Sequence, residues 1–441
     1  MSETLWSALM VATAGGWVLI GAALWRTRRV MIVLPETWPG PGADLPRPKV
    51  SVLVPARDEA ENIERTIRSL AAQDYPALEI VAVDDRSVDG TGEILLRLAA
   101  ELPALRVIAV ETLPAGWLGK NHANWLAVRE ASGEIFLFTD GDVVFAPGAL
   151  TAAVDCMERR GLGHLAGMPN IIRTGMMERA FQTAFALLFC LRFRIWELSR
   201  PGSAGYIGIG AFNMVRKEDY LRAGGHQRLA MEVVDDVKLG LILRRSGAVQ
   251  ACADARALVS LLWYPGFRAS LRGLVKNMFA GVEWNWPLLV LGNAAWMVMI
   301  WGPWIALMRM VGPAGPGISP WLPLANIILA AGLHGAVSIA TMSTATMSTA
   351  AMSTATMSTA AMSTARKPGR GWDALAYPLM HTAIAGASLV SAAMATIRRG
   401  IVWRDTFYPL TELRRGCVRA SGIPRSGAPG WGGNGSLRKE R

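Results

Sequence analysis

At 441 residues the chain exceeds one ordinary domain, so a catalytic unit of roughly 200 to 250 residues joined to a second region is expected. Hydrophobic residues make up 52% and charged residues 18%, with 17 Trp, a balance that excludes a simple soluble globular protein and points to a bilayer. The net charge of +11 does not point to nucleic acid: the Arg residues cluster beside apolar segments and near the C-terminal end, where anionic lipid attracts them, rather than among aromatics on a folded face.

In chain order, Leu5 to Trp25 is an apolar run long enough to span a bilayer, with Arg26, Arg28 and Arg29 directly after it. Charges after the run, with no small-residue cleavage site, predict a membrane anchor (residues 1–29) with the following chain on the cytoplasmic side. A Pro/Gly-rich linker, 30–48, leads into a unit expected to cover 49–285. Lys49 to Val54, Leu78 to Val83, Leu105 to Val110 and Glu134 to Phe138 read as buried strands. Glu61 to Gln73, Thr91 to Ala100 and Asn121 to Ala131 read as helices between them. That alternation predicts an α/β fold with a doubly wound, mainly parallel sheet and ligands at the carboxyl ends of its strands.

Met176 to Leu198 is an apolar helix carrying Arg192, Arg194 and Glu197, suited either to a membrane surface or to the inside of the catalytic unit. Pro287 to Met308, Trp321 to Ala340 and Ala374 to Ile397 are long enough to cross a bilayer, which makes 286–397 a membrane region. Inside it a Met-Ser-Thr-Ala repeat, 342–365, reads as a low-complexity insertion. Three later spans would put the basic tail, 398–441, outside, yet Arg398, Arg399, Arg404, Arg414 and Arg415 argue that it stays inside. One later segment is therefore expected to be re-entrant or interfacial. The four cysteines are far apart and without a C-x-x-C, consistent with buried thiols in a reducing compartment.

The chemistry-bearing residues gather at strand ends. The first strand runs into Pro55-Ala-Arg-Asp-Glu59, the second into Asp84-Asp-Arg-Ser-Val-Asp-Gly-Thr91, and the fourth into Thr139-Asp-Gly-Asp142. One such cluster is explained by turn formers; three along one sheet edge converge on one crevice. These motifs, in this order and spacing, resemble family 2 glycosyltransferases of the GT-A fold over Val50 to about Lys276. The resemblance implies a nucleotide pocket made by Arg57, Glu59, Asp84 and Asp85, with Asp85 accepting from the base. It also implies that Asp140 and Asp142 hold Mg²⁺ or Mn²⁺, which suits two carboxylates and phosphate oxygens as hard ligands.

Lys120, after Gly116-Trp-Leu-Gly119, is a candidate for the diphosphate, against the alternative of a solvated loop lysine. Glu232-Val-Val-Asp-Asp236 resembles the family's E-D motif with Asp235 in place of Glu. That placement implies Asp236 as the general base of an inverting transfer; Asp235 also stands where a helix cap would. Arg268 and Arg272, with Lys276, fall on one helical face and are candidates for acceptor or diphosphate contacts. The Q/R-x-x-R-W of the family's processive synthases is missing from Phe267 to Gly273, which favours transfer of a single sugar. The stretch Gly400 to Leu410 resembles the end of bacterial members associated with carotenoid and hopanoid glycosylation, with Asp405 where those have Gly.

The expected protein is thus an inverting, metal-dependent glycosyltransferase. It would move one sugar from a nucleotide-sugar, by default a UDP-hexose, to a lipid acceptor at a bacterial-type inner membrane, with its catalytic domain in the cytoplasm. The alternatives are a processive polysaccharide synthase and a non-catalytic nucleotide-sugar-binding membrane protein.

Overall fold

Val50, Val52, Leu53 and Val54 are all fully buried, so the first central strand, like other strands covered on both faces, is apolar without alternation. The structure, a computed structural model, describes residues 2–34, 46–172, 175–200, 202–310, 319–342 and 372–420. Most of the expected linker, the repeat from residue 343 onward and the tail beyond 420 lie outside the described residues.

In chain order the elements begin with α1 (Glu3–Val30), β1 (Ile32–Val33), β2 (Val50–Ala56), α2 (Ile63–Ala71) and β3 (Leu78–Asp85). There follow α3 (Thr91–Glu101), β4 (Leu105–Val110), α4 (Gly119–Glu130), β5 (Ile135–Phe138), β6 (Val144–Phe145) and α5 (Ala149–Arg160). Next are β7 (His164–Met168), β8 (Asn170–Ile171), α6 (Met176–Phe193), β9 (Asn213–Arg216), α7 (Lys217–Ala223), α8 (Gly225–Arg228) and α9 (Asp235–Arg245). The catalytic region closes with β10 (Gln250–Asp254), β11 (Val259–Leu261) and α10 (Phe267–Gly281). After it come α11 (Trp286–Met310), α12 (Trp321–Met342), α13 (Tyr377–Ile397), β12 (Gly400–Trp403), β13 (Thr406–Pro409) and α14 (Leu410–Gly416).

Eight strands form the main sheet in the order β1-β10-β7-β9-β5-β2-β3-β4. All neighbours are parallel except β9, which runs antiparallel to both β5 and β7. The doubly wound, mainly parallel GT-A-type sheet expected from the sequence is present, with strands that its pattern did not reveal. His164, Asn213 and Gln250 interrupt the apolar runs of β7, β9 and β10, and each is buried with a polar partner, such as Asn213 with His164. The two-residue β1 pairs with β10, which stitches the end of the N-terminal helix to the sheet.

Among the described residues four helices are long and apolar enough to cross a membrane: Glu3–Val30, Trp286–Met310, Trp321–Ala340 and Ala374–Ile397. Helix α6 lies wedged between these and the catalytic region, with Ala180, Phe181 and Ala184 against Leu274 of α10 and Met380 and Ile384 of α13. It therefore packs against the candidate membrane spans as well as against the catalytic region. Helices α11 and α13 run antiparallel, joined by Trp286 to Thr396 at 3.1 Å and Asn293 to Ser388 at 2.8 Å. The hairpin β12–β13 follows α13 directly and touches the catalytic region through Arg404 and Glu59. The described start of the tail therefore lies against the catalytic region, and α13 packs against α6 and α10.

Candidate active site

Parallel register sets the ends of three strands side by side: Ala56 pairs with Asp84, and Leu53 with Phe138. The motifs that follow the first and fourth of the expected strands reach one cleft through Pro55 and Asp140, lined also by Lys120, Asn124, Gly210, Asn213, His226, Asp235 and Asp236. Lys120 enters it from the first turn of α4, with Nζ 2.7 Å from Asp140 Oδ1 and 3.8 Å from Asp235 Oδ2. Burial alone would lower its pKa, but Asp140, Asp235 and Asp236 together hold it above the ordinary value. The solvated-loop alternative for Lys120 does not hold.

The carboxylates crowd one another. Burial, then Asp140 and Glu59, raises Asp142 to about 7. Burial also raises Asp235 to about 7, with Asp236 and Asp140 acting the same way and Lys120 opposing them. Asp236 is raised too, first by burial. Such a cluster has an unmet demand for positive charge, and its oxygens are hard ligands, so Asp140 and Asp142 suit Mg²⁺ or Mn²⁺. Among the described residues no group of three or more His, Cys, Asp or Glu side chains is arranged for a metal ion. A cation at Asp140 and Asp142 would complete its shell with phosphate oxygens and water.

Asp236 is held in place by its surroundings. Gly210 N–H donates to its Oδ2 at 3.0 Å, Val237 N–H donates to its Oδ1 at 2.8 Å, and Asn213 Nδ2 donates to its carbonyl at 3.3 Å. A side chain at Gly208 would collide with the Asp236 carbonyl, so the chain through Gly208 and Gly210 can pass only as glycine. Those two glycines, close before a strand, were the available sequence signal for this close approach and were not singled out. Asp235 is the first residue of α9, and the N-cap position belongs to Val234 rather than to it.

Beside this group lies Asp85, buried at 4% exposure. It accepts from Arg86 Nε at 2.7 Å and from Arg86 Nη2 at 3.1 Å, and Arg57 Nη1 is 3.9 Å away. Any side chain at Gly119 would strike the Asp85 carboxylate, which explains the glycine before Lys120. Asp84 differs from the other expected nucleotide residues: its Oδ1 accepts from Ser87 N–H at 3.2 Å and it packs on Gly92, so it holds the turn. His122 packs against Trp117 and Trp125, at 5.5 and 5.8 Å between ring centroids.

The C-terminal hairpin adds residues that the motifs did not point to. Arg404 Nη2 donates to Glu59 Oε1 at 2.8 Å, and Tyr408 Oη accepts from Gly119 N–H at 3.4 Å. Of the expected basic face of α10, Arg268 and Arg272 stay exposed, while Lys276 is drawn toward the cleft. Burial lowers its pKa to about 8, and Lys120 and Arg404 push the same way.

Residues 51–220 match the family model described as Glycosyl transferase family 2. The chain is similar to a 4,4'-diaponeurosporenoate glycosyltransferase of Staphylococcus aureus, 22% identical over 250 residues, covering 56% of this chain and 65% of that protein. It is likewise similar to one of Staphylococcus haemolyticus, 23% identical over 254 residues, covering 56% and 66%. The match thus spans just under two thirds of each relative's length. Among solved structures, the mannosyltransferase PcManGT of Pyrobaculum calidifontis, in complex with GDP-Man and Mn2+, aligns at TM-score 0.49 and 21% identity, over 90% of this chain and all of that one. The domain at 51–220, with its strand-end carboxylates on a mainly parallel sheet, is thus similar to the family 2 glycosyltransferases.

Proposed function

We propose that the protein is an inverting glycosyltransferase that moves a single sugar from a nucleotide-sugar, by default a UDP-hexose, to a lipid acceptor. The observation that carries this reading is the convergence of Lys120, Asp140, Asp235 and Asp236, from three separate segments of the chain, within one cleft. Asp85, between Arg57 and Arg86, is the group offered to the nucleotide base, with Glu59 at the same end. Lys120 faces the diphosphate. Asp140 and Asp142 would hold a divalent cation, which when bound takes up negative charge developing on the departing diphosphate.

Asp236 is the base. In the attack on the anomeric carbon, the bond from acceptor oxygen to carbon forms as the bond from carbon to diphosphate oxygen breaks, and the acceptor proton goes to the Asp236 carboxylate. Its raised pKa suits that role, because a base that binds protons weakly takes them poorly. Asp235 supports it from the same helix start.

The lipid acceptor is supported by position. Leu274 and Phe279 of α10 lie against α13, while Lys276 of the same helix turns to the cleft. An acceptor whose chain stays in the bilayer avoids exposing its methylenes, each of which costs about 0.8 kcal/mol in water. The name of the Staphylococcus relatives, 4,4'-diaponeurosporenoate glycosyltransferase, fits an apolar acceptor. Arg26, Arg28 and Arg29 after the first helix favour a cytoplasmic catalytic domain at a bacterial-type inner membrane. Against a processive synthase, polar side chains of the late helices pair with one another, as Asn293 does with Ser388 and His334 with His381, instead of lining a passage.

Donor hydrolysis and lipid glycosylation by the purified protein test this reading. Asp142→Ala and Asp236→Asn each abolish transfer if the assignment is right; full activity in both removes it.

A further inference from the structure

Two cations stand at the rim of the cleft without a part in the reaction as described. Arg404 sits at the tip of the β12–β13 hairpin, and Lys276 on α10 lies with Nζ 4.2 Å from the centroid of the Trp403 ring. Trp403 and Thr406 face each other across the hairpin, so Arg404 and Asp405 alone make its turn. Both adopt left-handed backbone, φ 46° and 62°, in a turn that ordinarily needs glycine or asparagine. The turn delivers Arg404 to Glu59, whose carboxylate it meets at 2.8 Å. Arg404 also donates to the Asp58 carbonyl at 3.4 Å and lies 4.0 Å from the Asp58 carboxylate, but with 41% of its side chain exposed these contacts offset little of the cost of that backbone, so a structural tie is a poor account of it.

The surroundings point to an anion. Among the described residues Lys276 has the Trp403 ring against it and no carboxylate within ion-pair distance; Lys120 and Arg404 are close enough to repel it, and Asp140 and Asp235, farther off than an ion pair, attract it less. The platform is fixed from both sides: Tyr408 Oη accepts from Gly119 N–H, next to Lys120, and Phe279 N–H donates to Ser391 Oγ of α13 at 3.1 Å. A diphosphate lying between Lys120 and the hairpin would meet the forked donors of Arg404 and the point charge of Lys276.

We infer that Arg404 and Lys276 form a two-cation clamp for the diphosphate of the donor, with Glu59 as the resting partner of Arg404. The clamp rests on the transferase reading of the site, and the same phosphate chemistry on a lipid headgroup is the competing source.

The test uses the full chain in detergent with Mg²⁺, and the probes are inorganic pyrophosphate, UDP and GDP. A parallel arm measures binding to phosphatidylcholine vesicles with and without phosphatidylglycerol. Arg404→Gln and Lys276→Gln are expected to weaken pyrophosphate and whichever nucleoside diphosphate the wild type takes by about tenfold or more, and Arg404→Lys by less. Arg404→Lys also serves if the Gln variant does not fold. Equal affinities across wild type and variants overturn the clamp. Loss confined to the phosphatidylglycerol vesicles assigns the pair to a headgroup and overturns it as well. If the variants lose pyrophosphate while the wild type binds neither UDP nor GDP, the clamp stands and the UDP-hexose donor falls; a wild type that binds none of the probes overturns both.

Discussion

Lys238 Nζ lies 2.8 Å from Glu283 Oε1, joining the helix that begins with Asp235 and Asp236 to the turn that ends α10. Lys238 also donates to the Val418 carbonyl, and Glu283 accepts from Ala420 N–H at 2.6 Å, so the end of the described chain is latched to the same pair. The Lys238 side chain is 2% exposed. Removing one partner of a buried pair strands the other charge, a loss of about 3 to 5 kcal/mol. Lys238→Ala is therefore expected to destabilise the protein by about that amount, read as a fall in denaturant midpoint, and Lys238→Ala with Glu283→Ala together to cost less than the sum of the two.

Lys120 is the counter-charge of the cleft. Lys120→Met leaves Asp140 and Asp235 without their ammonium and the proposed diphosphate without a cation in the cleft. Transfer should fall by about 10² to 10³-fold, the range for loss of one preorganised electrostatic group. Steady-state rates at saturating donor and metal check it; a fall of less than fivefold means that Lys120 only ties the turns together.

Gly208 has the Asp236 carbonyl where its side chain would be. Gly208→Ala must push the start of α9 away, with a stability loss of about 1 to 3 kcal/mol and a larger proportional loss of transfer, because a misplaced base loses its hydrogen-bond reach. Melting temperature and rate measured on the same preparation separate the two effects.

His226 lines the cleft, accepts or donates with Tyr220 Oη at 2.9 Å, and is pushed from 6.5 down to about 3 by burial and by Lys120. It therefore stays neutral in the fold at pH values where the unfolded chain takes up a proton. Its contribution is intact above pH 6.5 and is lost progressively as pH falls toward 3, with a limiting slope of about 1.4 kcal/mol per pH unit. Thermal melts between pH 7 and 5 should show a shallower decline in His226→Gln than in the wild type. Parallel curves would mean that His226 titrates equally in both states.

Much of the catalytic region was legible. Strands β2 to β5 were readable because they are mostly apolar, as in Val50 to Val54, where only the buried Ser51 breaks the run. The acidic motifs were readable because cation binding and proton transfer admit few residue types, and in the fold Glu59 and Asp140 lie near Asp142, while Asp140 lies near Asp235 and Asp236. Asp84 shows the limit: its neighbour Asp85 faces Arg57 and Arg86, while Asp84 is used by the turn, and residue type alone does not separate the two. Strands β7, β9 and β10 escaped because their buried polar residues interrupt the pattern: His164 pairs with Asn213 across the sheet, and Gln250 donates to the Gly240 carbonyl of α9.

By itself the sequence determined which charges and which apolar lengths the protein possesses: an acidic set at strand ends, basic residues near apolar runs, and four stretches that suit a bilayer. Only the tertiary structure decided which of these meet. Arg404 and Glu59 are 345 positions apart, and their contact depends on α13 returning the chain to the catalytic side. Local pattern records how each segment is buried, whereas such a meeting depends on the path of the chain between segments, which no local pattern encodes.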